Sequence, residues 1–183
     1  GERLSRMVSS MLFLARADNS SEPLNLERVD SQQLFNRLVG YYDILAEEKN
    51  ISLAHSGAVL FLADPAHLQR ALSNLLSNAL KFTDAGSVTL RLSYEGGMLF
   101  ISVHDTGTGM DEEEQQQIFD AFRQLSNAAT KDGFGLGLSI VKNLVGMMNG
   151  KIELSSKKNV GSTITVEIPL PLVHEKDIER EKI

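Results

Sequence analysis

No cysteine occurs among the 183 residues, so disulfides and thiolate metal sites are excluded. No apolar run approaches the roughly 20 residues that a membrane-crossing helix needs, and no signal peptide is visible. The expectation is a soluble segment, which a larger, membrane-anchored parent could still carry. Histidine is scarce: His55, His67, His104 and His174 lie too far apart in sequence for a local zinc pattern. Positive charge is the minority sign. Lys and Arg total 18 against 24 Asp and Glu, a net charge of −6, which argues against non-specific binding to nucleic acid. An acidic chain can still bind an anion where its few positive groups converge. Apolar residues, at 42%, are present in ordinary amount and suffice for one domain plus a short extra element.

The organising stretch runs from Asp64 to Phe82 and reads as a helix. Asp64 is a good N-cap, and Pro65 falls where a first-turn proline is welcome. Leu68, Leu72, Leu75 and Ala79 recur at helical spacing as the buried stripe. Arg70, Asn74, Asn78 and Lys81 recur on another face. Helix interiors rarely choose Asn for propensity, and a buried amide costs free energy unless it is satisfied. This polar stripe therefore wants a polar ligand.

Upstream, residues 2–17 carry a seam of Leu4, Met7 or Val8, Met11, Leu14 and Ala15. They read either as an ordinary amphipathic helix or as one strand of a coiled coil cut off at its start. Residues 18–23 are a linker by composition. A short strand is expected at 24–28, then a helix capped by Asp30 and running to about Lys49. Its buried side would hold Leu34, Phe35, Leu38, Tyr41, Tyr42 and Leu45. Short strands follow at 51–55 and 58–62, around Ser56-Gly57. After the organising helix, 87–94 and 98–104 alternate apolar and polar residues and read as an antiparallel hairpin. Residues 105–137 are glycine-rich and mostly irregular, with a short helix near 112–119. A loop this long in a compact domain is functional or mobile. A helix at 138–148, a last hairpin of 151–155 and 162–168, and a charged tail at 172–183 complete the chain. The fold expected is α+β: a two-layer sandwich in which a mixed, mostly antiparallel sheet is covered on one face by three helices.

Two glycine motifs carry chemistry. Asp105-Thr106-Gly107-Thr108-Gly109 directly follows a strand. Taken alone it is an Asp-Gly turn or a carboxylate beside a close-approaching backbone, suited to a flat ligand such as adenine. Gly133-Phe134-Gly135-Leu136-Gly137-Leu138 opens a helix, where backbone N–H groups suit phosphate oxygens. Taken alone it reads equally well as a hinge. The dinucleotide fingerprint does not fit, because no strand feeds it and the third spacing differs.

In combination and in this order, these motifs resemble the ATP-binding module of sensor histidine kinases, in the superfamily shared with gyrase and heat-shock chaperones. Asn-Leu-Leu-Ser-Asn-Ala-Leu-Lys-Phe (74–82) is similar to the family's N box, and Asp-Thr-Gly-Thr-Gly (105–109) to its G1 box. Ile-Phe-Asp-Ala-Phe (118–122) is similar to its F box, and the stretch from Gly133 to its G2 box. The resemblance covers about 24–171 and implies the Bergerat fold, with ATP and Mg²⁺ as cofactors. It implies that Asn78 is the Mg²⁺ ligand, a carboxamide oxygen being a suitable hard donor. Asn74 stands where hydrolytic relatives carry a water-activating glutamate, which suits transfer to a protein nucleophile. Lys81 would contact phosphate, Phe82 would lie near the base, and Asp105 would read adenine beside Gly107 and Gly109. Gly133, Gly135, Leu136, Gly137 and Leu138 would frame the nucleotide. Ser162 would help hold a water by the aspartate, and Lys131 would approach the γ-phosphate. Phe119 and Phe122 read as core, as lid anchors, or as both. Arg123 is a candidate phosphate contact, although Gln124 replaces a basic residue common in the family. His67 and His104 read as structural or solvated.

The family's phosphoacceptor histidine sits in a His-Glu/Asp-x-x-Arg context, and none of the four histidines here has it. Residues 1–17 resemble the end of the dimerising, phosphoacceptor hairpin. The implied parent is a bacterial sensor anchored in the inner membrane, with this segment in the cytoplasm. Its partners would be its own hairpin, a response-regulator receiver domain and a second copy joined through 2–17. Two rivals stand beside this reading: another ATPase of the superfamily, serine-directed or hydrolytic, and a degenerate nucleotide-binding interaction module.

Overall fold

The computed structural model describes residues 25–119 and 137–170, together with Val8. Strand β1 (Glu27–Asp30) leads into helix α1 (Ser31–Glu48), capped by Asp30, whose carboxylate accepts from the N–H groups of Gln32 and Gln33. Strands β2 (Ile51–Ser56) and β3 (Leu60–Ala63) precede helix α2 (Pro65–Lys81). The hairpin β4 (Gly86–Glu95) and β5 (Met98–Asp105) follows, then the short helix α3 (Glu112–Gln117). Helix α4 (Gly137–Met147) and the hairpin β6 (Lys151–Lys157) and β7 (Gly161–Pro169) close the described chain.

The expected sandwich forms. Five strands make one sheet in the order β2-β4-β5-β7-β6, parallel between β2 and β4 and antiparallel elsewhere. Alternation decides its faces. Val88, Leu90, Leu92, Leu99, Ile101, Val103, Ile164, Val166 and Ile168 point inward and are buried. Helix α2 packs on α4 and against β5, while α1 lies over β2. Leu68, Leu72, Leu75 and Ala79 are buried as the helical spacing predicts, and Ala71, Leu76 and Leu80 widen the stripe.

Three expectations need correction. The first strand lies at 27–30 rather than 24–28, so its last residue also caps α1. Strands β2 and β3 belong to different sheets: β3 pairs antiparallel with β1 in a separate two-stranded ladder. The cause is local. Ser31 donates its N–H to the Val59 carbonyl (3.1 Å) and accepts the Val59 N–H on its hydroxyl (2.8 Å), which draws the chain to the start of α1. Tyr41 and Leu45 are not buried but 78% and 43% exposed. Leu34, Phe35 and Leu38 meet the core, but further along α1 contact passes to Ala46 and to Tyr42, whose hydroxyl lies 2.5 Å from that of Ser73. Tyr41 and Leu45 fall outside this shifted stripe.

Candidate functional site

One inward row crosses four strands. Val88 faces Asp105, Asp105 faces Ser162, and Ser162 faces Ser156. The helices cover the apolar part of this face and leave its polar end as one wall of a cleft. Asn78 and Phe82 of α2, Asp105 and Ser162 of the sheet, Gly109 and Met110 of the following loop, and Leu138 of α4 line one open cleft. Asn78 and Asp105, 27 residues apart in sequence, thus wall the same cavity.

Asp105 is 9% exposed. Its Oδ1 accepts the Gly107 N–H at 2.9 Å, an Asx turn, and its carboxylate also accepts the Ser162 N–H. Burial raises its pKa above the ordinary carboxylate value, and the two N–H groups and nearby His104 offset this only in part. A carboxylate so placed is an acceptor with unused lone pairs facing the cleft.

The loop after it is clamped on both sides. Thr108 donates its N–H to the Phe82 carbonyl at the end of α2 (3.1 Å), and its own carbonyl accepts from Asn159 (2.6 Å). Met110 N–H donates to Ser156 Oγ (2.8 Å), and Gln115 Nε2 donates to the carbonyls of Met110 and Ser156. Two glycines are required by this closeness. A Cβ at Gly107 would run into the Phe82 carbonyl. Gly109 sits at φ +64°, and a Cβ there would strike the Lys157 carbonyl.

Asn74 lies one turn before Asn78, and its Nδ2 is buried without a partner. An unpaired buried donor costs on the order of 1–3 kcal/mol unless a water or ligand meets it. Lys81 Nζ lies 5.4 Å from the centroid of the Phe82 ring. Leu138, in the first turn of α4 (Gly137–Met147), also lines the cleft. Lys131, Gly133, Gly135 and Leu136 lie outside the described residues, as do Phe122, Arg123, Gln124, residues 2–7, 9–24 and 171–183. Among the described residues no group of three His, Cys, Asp or Glu could hold a metal. The carboxamide of Asn78, in the cleft wall, carries a neutral oxygen of the kind that a hard cation takes.

Sequence reading missed the wall residues Thr108 and Met110 and the hub Ser156. The signal for Ser156 was available: Ile152 and Leu154 set the inward phase of β6, and Ser156 is a polar residue in that phase.

A family profile described as histidine kinase-, DNA gyrase B-, and HSP90-like ATPase matches residues 63–172. The chain is 35% identical over 171 residues to the sensor protein IrlS of Burkholderia pseudomallei (strain K96243), covering 92% of the chain and 37% of IrlS. It is 34% identical over 173 residues to the sensor histidine kinase RcsC of Escherichia coli (strain K12), covering 91% of the chain and 18% of RcsC. The chain thus spans well under half the length of these relatives. The crystal structure of full-length ShkA in complex with AMPPNP superposes with a TM-score of 0.84 at 34% identity, covering 93% of this chain and 36% of ShkA. By these likenesses the chain belongs to the histidine kinase-, DNA gyrase B- and HSP90-like ATPase family, as a catalytic ATP-binding domain of the sensor histidine kinase kind.

Proposed function

We propose that this cleft binds Mg-ATP and that the parent protein transfers the γ-phosphoryl group to a histidine outside this segment, for relay to an aspartate of a receiver domain. The observation that carries the reading is the pairing of Asp105 and Asn78 across one cavity. Asp105 accepts the adenine amino group. Phe82 and Leu138 flank the base with apolar surface, and Ser162 supports the polar end of the row. Asn78 offers its carboxamide oxygen to the cation. Lys81, Lys131 and the N–H groups from Gly133 to Leu138 receive the phosphates. When bound, magnesium neutralises charge on the phosphates. The chain's own contribution is positioning and exclusion of water.

Asn74 decides the reaction class. A carboxamide cannot take a proton, so this position does not activate water, and the phosphoryl group is kept for a protein nucleophile. The partners are then the phosphoacceptor hairpin of the same parent and a receiver domain. A second copy joined through residues 2–17 belongs to the same reading, as does a cytoplasmic place in an anchored sensor. Nucleic acid is not a partner, given the net charge of −6.

Titration calorimetry with Mg-ADP tests the reading. Binding in the micromolar to low millimolar range is expected, tighter than for Mg-GDP, whose 6-oxo group meets the Asp105 carboxylate unfavourably. No heat at millimolar ligand, or equal affinity for the two nucleotides, overturns it.

A further inference from the structure

Ser156 is the far end of the polar row, on the edge strand β6, and it shares one proton among several partners. Its Oγ accepts the Met110 N–H at 2.8 Å. It donates its proton to the Gly161 carbonyl at 3.0 Å and lies 2.7 Å from Ser162 Oγ. A serine hydroxyl has one proton and two lone pairs. With that proton given to Gly161, the Ser162 proton must turn back to Ser156, and Ser162 faces the cleft as an acceptor only. Two acceptors, Asp105 and Ser162, then stand side by side in the row, which suits the N–H donors of a 6-amino group and not a 6-oxo oxygen. Without the Ser156 hydroxyl the Ser162 proton is free to turn into the cleft.

We infer that Ser156 is a positioning residue that sets the direction of the Ser162 hydroxyl proton, and thereby the preference of the cleft for a 6-amino over a 6-oxo purine. This rests on the nucleotide reading above. Ser156 need not touch the ligand. It acts through Ser162, and it holds the Met110 end of the loop with the same oxygen.

The test compares Mg-ADP and Mg-IDP, which differ at C6 and N1 of the base, on wild type and variants. Ser156→Ala is expected to weaken ADP binding by about three- to tenfold, the worth of one hydrogen bond, and to leave IDP within about twofold. Ser156→Thr keeps the hydroxyl and should restore the ADP preference. On a Ser162→Ala background, adding Ser156→Ala should change ADP affinity by less than about twofold, because the two act as one unit. If Ser156→Ala does not fold, near-isosteric Ser156→Cys, a weak donor, replaces it. Equal loss for ADP and IDP, no rescue by Thr, or the same loss on the Ser162→Ala background overturns the inference. Wild type that binds neither nucleotide overturns the nucleotide reading instead, so the two failures are distinct.

Discussion

At Asp105 burial and hydrogen bonding act in opposite directions, and burial prevails, so its pKa is raised. The sign of the stability effect follows. Below the unfolded value, about 3.9, the carboxyl is protonated in both states and costs nothing. As pH rises through the higher folded value, the native state must ionise a buried group, and that stability is lost. Asp105→Asn is therefore expected to be at least as stable as wild type at pH 7, with its advantage shrinking toward pH 4, as urea melts at the two values would show. The same change should weaken Mg-ADP by roughly ten- to a hundredfold, the range for a hydrogen bond to a charged group. A variant less stable than wild type at pH 7 would make Asp105 a structural residue instead. Asn78 is separable from it. Asn78→Ala should lose most of the affinity that Mg²⁺ adds for ADP, while affinity in EDTA stays within about twofold. An unchanged magnesium increment would place the cation elsewhere.

Helix α2 is the element on which both fold and site depend. Its apolar face carries the core: Leu76 and Leu80 are fully buried, and Leu76→Ala should cost about 2–5 kcal/mol in urea denaturation. Its start depends on Asp64, itself buried, which accepts the His67 N–H and the Asn25 N–H at 3.1 Å each. Asp64→Ala removes a cap and also strands the Asn25 donor, so roughly 1–3 kcal/mol is expected, more than for an exposed cap. A loss near zero would mean that water replaces both bonds. The end of α2 delivers Asn78 and Phe82 to the cleft, and the Phe82 carbonyl holds the Thr108 N–H. Damage to the helix end is therefore expected to reach nucleotide affinity before it reaches global stability.

For the molecule as a whole, the proposed reaction has the cleft hold the nucleotide and the acceptor histidine come from outside this segment. Incubated with ATP labelled at the γ-phosphate, this chain alone is expected to retain no covalent label, and retained label would place a phosphoacceptor within it. Much of this was legible in the primary structure. The 3.6-residue period placed Leu68, Leu72, Leu75 and Ala79 inside, and put Asn74 and Asn78 together on another face, because helical spacing is set by backbone geometry alone. Alternation likewise marked which side of β4 and β5 is buried. Periodicity tells which face a residue takes but not which strand lies beside it. The row from Val88 through Asp105 and Ser162 to Ser156 exists only through cross-strand register, fixed by packing among segments far apart in the chain. The parting of β2 from β3 hangs on Ser31 and Val59, and the exposure of Tyr41 on where the core beneath α1 stops. Residue spacing thus determined the elements and the order of their motifs, and tertiary contact alone decided that two helices and a sheet edge would enclose one cavity.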